Sequence, residues 1–379
     1  MIYILDSYPK LDRGHFWVVD GYIRRALREL AIPYTYINLS AMYAHEEDGL
    51  PEDPRFQYRN AETYEKYLED SVRFIESEFE SSREINNVIL VTWLPQFSEI
   101  EMEKILNVAK NTTAQVVGIS LPTPDALIGS EKENYRYVHE KFFSQQSKNF
   151  LWVGENEITN RNSNSNIRFI PEYGEVRKNA SPEKIWDLSF FGQLSSYRGL
   201  SEILFTALFN PKLQIRIKGY SFAPHRTWRP IRRKFFRYKN WKTNPIFSLV
   251  FSGISIPISM LRFLPNVNFS NIPFTTEDDL DQAMLQTKAM FYGAKLPHGS
   301  GIMTKSLSAG IPILWTGWEG QAFSYLKSNF KSGYIRYYEF FIPNRVSVRL
   351  ENMTPVQPKK DEMWLKFLKE ISFLKSMAN

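Results

Sequence analysis

Three short stretches carry the residue types that chemistry needs. "DSYPKLDRGHFW" holds Gly14 and His15 at the point where a polar loop turns into a helix-like run. A histidine there sits where the positive end of a helix meets solvent and titrates near neutrality, which suits an acid or a base; a solvated or capping histidine is the plainer alternative. "FFGQLSSYRG", Phe190 to Gly199, runs from a strand into a helix. Gly192 frees the backbone, and Gln193 and Arg198 are placed to reach one anionic group from two sides. A surface loop with a chance arginine has the same spelling. "LPHGSGIMTKSLSAGIPIL", Leu296 to Leu314, opens with Gly299, Ser300 and Gly301 before a helix with Thr304 and Lys305 in its first turns. Free N–H groups at such a helix mouth bind phosphate. The spacing is not that of a Walker loop.

Loops of this kind must be held by strands and helices, and the chain has room for two sets. It is 379 residues long, with 43% hydrophobic and 23% charged residues, so two ordinary globular domains are expected. The first half alternates apolar strands with helical periodicity, as a parallel α/β layer does: "IYILD", then a helix with Val18, Tyr22, Ala26 and Leu30 along one face, then "YTYINL", "AETYEKYLEDSVRFIESEF", "NNVILVTW", "SEIEMEKILNVAK", "AQVVGIS" and "NFLWVG". The turn-rich "GENEITNRNSNSN" and the proline- and charge-bearing stretch after it mark a change near Arg177. A second series follows with "DLSFFG", "GLSEILFTALF", "LQIRIKG", "NVNFS", "TTEDDLDQAML", "AMFYG" and "IPILWT". The expected organisation is residues 1–176, residues 177–360 with an insertion at about 222–265, and a docking helix over 361–379 with Trp364, Phe367, Leu368, Ile371 and Leu374 on one face.

Composition narrows the chemistry. The chain has no cysteine, which excludes disulfides, thiolate metal sites and a cysteine nucleophile, and none of its five histidines are spaced as zinc ligands. The N-terminus lacks the pattern of a signal peptide, so a cytoplasmic protein is expected. The formal charge is +6, yet "RTWRPIRRKFFRYKNWK" alone carries eight Arg or Lys and no acid, leaving the remainder at −2. That stretch, with Arg229, Arg232, Arg233, Lys234, Phe235 and Trp241, precedes an apolar run too short and too broken by Gly253 and Pro257 to span a bilayer. Lying on an anionic membrane surface suits it, with about 1 kcal/mol from each basic residue near such a surface. A hairpin packed on the second domain and a nucleic-acid surface are the alternatives, the latter disfavoured by the slightly acidic remainder.

The motifs together resemble those of GT-B glycosyltransferases. "LSFFGQLSSYRGLSEIL" and "LPHGSGIMTKSLSAGIPIL" are similar to the donor-binding half of that fold. "SGIMTKS" and the Gly14–His15 turn look like features of the N-acetylglucosaminyltransferases that act on the lipid-linked peptidoglycan precursor. The resemblance implies two Rossmann-like doubly wound domains facing a cleft, an acceptor site in the first and a nucleotide-sugar site in the second. It implies no cofactor and no metal. Gly192, Gln193, Arg198, Gly299, Ser300, Gly301, Thr304, Lys305, Glu319 and Gln321 become donor-binding candidates, with His15 as base and Asp20 or Asp12 as its partner. Where the family usually carries a ribose-holding glutamate this chain has Lys305, which favours a more anionic donor, and Pro297 and Gln193 also depart from its pattern. The expected activity is transfer of a sugar from a nucleotide sugar to a lipid-linked or cell-surface glycan at the cytoplasmic membrane face, as in polysaccharide biosynthesis. A nucleotide-sugar epimerase on the same fold, or a non-catalytic nucleic-acid or membrane-binding module, are the alternatives.

Overall fold

A computed structural model describes residues 1–6, 15–38, 56–60, 64–81, 86–92, 99–112, 114–120, 133, 136–137, 139–140, 148–154, 166–171, 173–177, 183–194, 198–220, 263–272, 274, 276–293, 300–316 and 321–378. The chain divides into two compact units. The first is built from Met1–Gly174, His298–Gly301 and Asp361–Asn379, the second from Glu175–Pro297 and Ile302–Lys360.

The first unit is a parallel sheet of seven strands: β1 (Ile2–Asp6), β2 (Tyr34–Asn38), β3 (Phe56–Asn60), β4 (Val88–Thr92), β5 (Gln115–Ser120), β6 (Phe150–Gly154) and β7 (Ile167–Ile170), in the order β3-β2-β1-β4-β5-β6-β7. β4 reads Val-Ile-Leu-Val-Thr and is buried at every residue, as a central strand covered on both faces must be. The helices α1 (His15–Glu29), α2 (Tyr64–Ser81) and α3 (Glu99–Thr112) are the crossovers. On α1 the buried face runs through Val19, Ile23, Ala26 and Leu27. It is rotated from the expected Val18–Tyr22–Ala26–Leu30 stripe because Tyr22 lies at its edge, against the ring of Tyr173 at 4.6 Å.

The last helix of the chain, Lys360–Ala378, completes this unit from Asp361 onward. Trp364 stacks on Phe367 with ring centroids 5.6 Å apart, donates from Nε1 to Glu29 Oε2 at 3.0 Å and lies under the Arg25 guanidinium at 4.5 Å. Farther along, Phe373 packs edge-on against Phe150 at 4.9 Å, and Glu370 accepts from Arg168 at 3.3 Å.

The second unit holds β8 (Trp186–Gln193), α4 (Leu200–Phe209), β9 (Ile215–Tyr220), β10 (Val267–Ser270), α5 (Glu277–Leu285), β11 (Thr287–Tyr292), α6 (Gly301–Ala309, from Ile302), β12 (Ile313–Trp315), α7 (Gln321–Asn329) and α8 (Arg345–Glu351); the Lys360–Ala378 helix of the first unit is α9. Its five parallel strands run β10-β9-β8-β11-β12. Thr276 starts α5 by accepting the Asp279 N–H at 3.1 Å, and Glu277, Asp278 and Asp279 crowd the first turn, where the helix dipole favours acids. Gly310, at φ 71°, stops α6: its N–H reaches the Leu307 carbonyl at 3.3 Å and that of Ile311 reaches Ser306 at 2.8 Å. This is a Schellman closure, and Pro312 behind it keeps the helix from continuing. Among the described residues no helix is long and apolar enough to cross a membrane.

Candidate functional site

In an open parallel sheet the strand order reverses at one place, and the loops leaving the carboxyl ends of the two strands there part to opposite faces. In the second unit that place lies between β8 and β11, which pair directly. One of these loops ends in Arg198 and Gly199 and opens α4; the other leaves β11 at Gly293 and arrives at Ser300 and Gly301, where α6 begins. The glycine-rich spelling is explained by contact between them. Gly199 holds φ 96°, and a Cβ on it would stand 2.7 Å from Gly293 Cα and 2.8 Å from the Phe291 ring. Only glycine allows both the left-handed backbone and that approach. Gly199 is the N-cap of α4 and has no side chain to cap it, and Arg198 beside it is half-buried.

Gly192, at φ 111°, bends the end of β8, with Gln193 as its last residue. Thr304 and Lys305 are both buried rather than displayed at the mouth of α6. The Lys305 ammonium is engaged inside the unit: Nζ donates to Glu277 Oε2 at 2.5 Å and to Asp281 Oδ1 at 2.6 Å, both on α5. Asp281 also accepts the Arg177 N–H at 2.9 Å, and the Arg177 guanidinium reaches Asp278 at 3.3 Å. Burial pushes the Asp281 carboxyl above its ordinary value, with Lys305 and the Arg177 N–H pulling the other way. Lys305 is thus a charge already matched by two carboxylates of α5.

His15 is the first residue of α1. Asp20 lies five residues on, which carries it about 140° round the helix from His15. It is 1% exposed, and Thr92 at the end of β4 donates to its Oδ2 at 3.4 Å and to the Leu5 carbonyl at 3.2 Å. Asp20 therefore ties α1 to β1 and β4, the two strands at the reversal point of the first sheet. Gln321 is the first residue of α7. Asp12, Gly14, Pro297, Gly299 and Glu319, and the basic residues Arg229, Arg232, Arg233 and Lys234 with Phe235 and Trp241, lie outside the described residues.

One cluster at the carboxyl edge was not anticipated from sequence. Phe274, just after β10, meets the Phe191 ring edge-on at 5.0 Å, and Lys218 Nζ lies 4.4 Å over the Phe274 ring. Phe191 and Lys218 are register partners on β8 and β9, so the group forms an aromatic and cationic shelf beside Gly192. Lys218 alternates with Ile217 on a short strand and has no local spacing that marks it.

No family model matches the chain, and no curated protein matches it in sequence. Solved structures do. Sucrose-phosphate synthase from Thermosynechococcus elongatus is similar over 100% of this chain and 94% of its own, with a TM-score of 0.50 at 12% identity. Arabidopsis thaliana UGT89C1, complexed with UDP-L-rhamnose, is similar over 99% and 94%, with a TM-score of 0.50 at 9% identity. The pneumococcal O-GlcNAc transferase GtfA, in complex with UDP and GlcNAc, is matched over 80% of this chain and 59% of its own, with a TM-score of 0.44 at 12% identity; the chain spans less than two thirds of that protein. At such identities the likeness establishes architecture, and the chain has the α/β fold of GT-B glycosyltransferases, two parallel sheets in one polypeptide.

Proposed function

We propose that the chain is a glycosyltransferase that takes a sugar from a nucleotide-sugar donor held by the second unit and passes it to an acceptor bound by the first. The observation that supports this reading is the contact of Gly199 with Gly293 at the strand-order reversal, beside Arg198 and the start of α4. A diphosphate is the ligand class that fits there: backbone N–H groups and one guanidinium meet its oxygens, and glycine keeps side chains out of the way. The shelf of Phe274 and Lys218 suits an aromatic base beside an anion. That a protein of the same fold binds UDP-L-rhamnose supports the donor class.

In the proposed reaction an acceptor hydroxyl oxygen forms a bond to the anomeric carbon as the bond from that carbon to the diphosphate breaks. The bonding pair leaves with the phosphate oxygen, where Arg198 and the first turns of α4 and α6, with Ser300 and Gly301, stabilise the developing charge. The acceptor proton goes to a base, for which His15 is the candidate. The acceptor is a lipid-linked or cell-surface glycan at the cytoplasmic face of a membrane, and the basic–aromatic stretch around Arg232 and Trp241 is the contact with anionic lipid.

The test is turnover of UDP-, GDP- and dTDP-sugars by the full chain, with and without a bacterial lipid extract, read as release of nucleoside diphosphate. Release from one donor, increased by lipid and lost in Arg198→Ala, is the expected result. No release from any donor in either condition would overturn the reading.

A further inference from the structure

The carboxyl-terminal end of α4 builds a surface that neither the core nor the donor edge uses. Phe205 and Phe209 of α4 meet Phe341 at 4.6 and 6.2 Å, at the end of a 3-10 turn spanning Tyr337–Phe341. Asn344 at the start of α8 donates its N–H to the Phe209 carbonyl at 3.0 Å, and Ser347 donates to Asn210 Oδ1. The chain arriving at β10 is fixed to the same spot, because Asn266 Nδ2 donates to the carbonyls of Ala207, Asn210 and Leu213 at 3.1, 3.3 and 3.1 Å. These bonds join α4, the 3-10 turn, α8 and the Phe263–Asn266 segment into one surface.

That surface displays Leu208, Phe263, Tyr338, Ile342 and Val348, all exposed, with Phe263 at 83%. Scattered single apolar residues are ordinary on a protein surface, whereas several on one jointly held face mark a docking site. Its charges choose the occupant. Lys212 and Arg336 are exposed at the edge, and Arg345 and Arg349 project from α8. Against them stand Glu339, buried beneath and shared by Arg345 and Arg349 at 2.8 and 3.7 Å, and the exposed Glu351. An apolar centre within a net positive rim matches an anionic bilayer, apolar residues to the acyl boundary and cations to the headgroups.

We infer that this face of the second unit, centred on Leu208, Ile342 and Phe263, docks the protein on an anionic lipid surface. The inference rests on the membrane part of the proposed function but not on the placement of the basic stretch. That stretch and the apolar run behind it lead in sequence directly into Phe263.

The test is sedimentation of the full chain with phosphatidylcholine vesicles, with and without phosphatidylglycerol. Three variants are compared with wild type: Leu208→Glu/Ile342→Glu, Lys212→Gln/Arg336→Gln, and Arg232→Gln/Arg233→Gln/Lys234→Gln as a separate probe of the stretch. Melting temperature and lipid-free donor turnover confirm that each is folded. Wild type is expected to bind only the anionic vesicles. The glutamate pair should weaken partitioning at least about tenfold, and each rim cation removed should weaken it about fivefold. Glutamate-pair protein that sediments like wild type, equal binding to neutral vesicles, or a dimer that the glutamate pair dissolves would each overturn the inference. Donor turnover that fails while these vesicle results hold would remove the proposed activity and leave the docking face standing.

Discussion

Lys305→Met keeps the aliphatic stem and removes the ammonium that two carboxylates share. Breaking a buried pair from one side costs about 3–5 kcal/mol, because the remaining charge has no partner. Here the cost falls mainly on Asp281, 2% exposed as a side chain, since Glu277 at 25% still reaches water and is screened. The lower end, about 3 kcal/mol, is expected, which for a unit of this size is a fall of about 6–12 °C in Tm. The loss must also depend on pH. A carboxyl whose folded-state pKa is raised holds a proton that the unfolded chain has released, so stability declines as pH rises from the ordinary value of 3.8 through the folded one. Removing Lys305 takes away the charge that opposes this rise and extends the window upward. Urea unfolding of wild type and variant across a pH series should therefore show a small penalty in acid that grows toward neutrality, and adding Asp281→Asn should restore part of it. A penalty independent of pH, or below about 1 kcal/mol at neutrality, would refute the reasoning.

Gly199→Ala should cost about 2–4 kcal/mol, from the left-handed backbone and the 2.7 Å approach to Gly293, while Gly192→Ala, with open space around it, should cost only about 1 kcal/mol; equal losses in urea unfolding would contradict the packing argument. Glu339 is held below its ordinary pKa although burial pushes it up, because the Arg336 N–H, Arg345 and Arg349 prevail. Glu339→Gln should then cost about 1–2 kcal/mol at neutral pH, and the difference should fade as pH falls below 4.5 through the folded value, measured by unfolding at each pH. Trp364→Ala should destabilise the first unit by about 3 kcal/mol, seen as faster amide exchange in α1 and α9 together; unchanged exchange in α1 would show that the helix is not held through this ring.

Much of the fold is legible in residue order because central parallel strands are buried on both faces and so read as continuous apolar runs, as in "VILVT" and "QVVGIS". The two strands at the ends of the first sheet, β3 and β7, escape that reading. β7, Ile-Arg-Phe-Ile, is only four residues long and half-buried over most of its length, and Arg168 interrupts the apolar run that would mark it. The glycine positions at the β8–β11 edge are legible for a different reason: a left-handed turn and a close approach leave their mark in the residue type itself. Lys305 is the opposite case. Its partners stand 28 and 24 positions earlier, on another helix, and no spacing along the chain announces them. Phe274, Lys218 and Phe191 are likewise joined only by the order of strands in the sheet.

The most direct measurement is calorimetric titration of the full chain with nucleoside diphosphates and nucleotide sugars, comparing wild type with Arg198→Ala and Ser300→Trp. The account predicts that one nucleotide binds wild type and that Arg198→Ala weakens it about 10–100-fold, the worth of charge-assisted bonds to a diphosphate, with Ser300→Trp blocking it. Binding that both variants leave intact would contradict the placement of the donor at the β8–β11 edge.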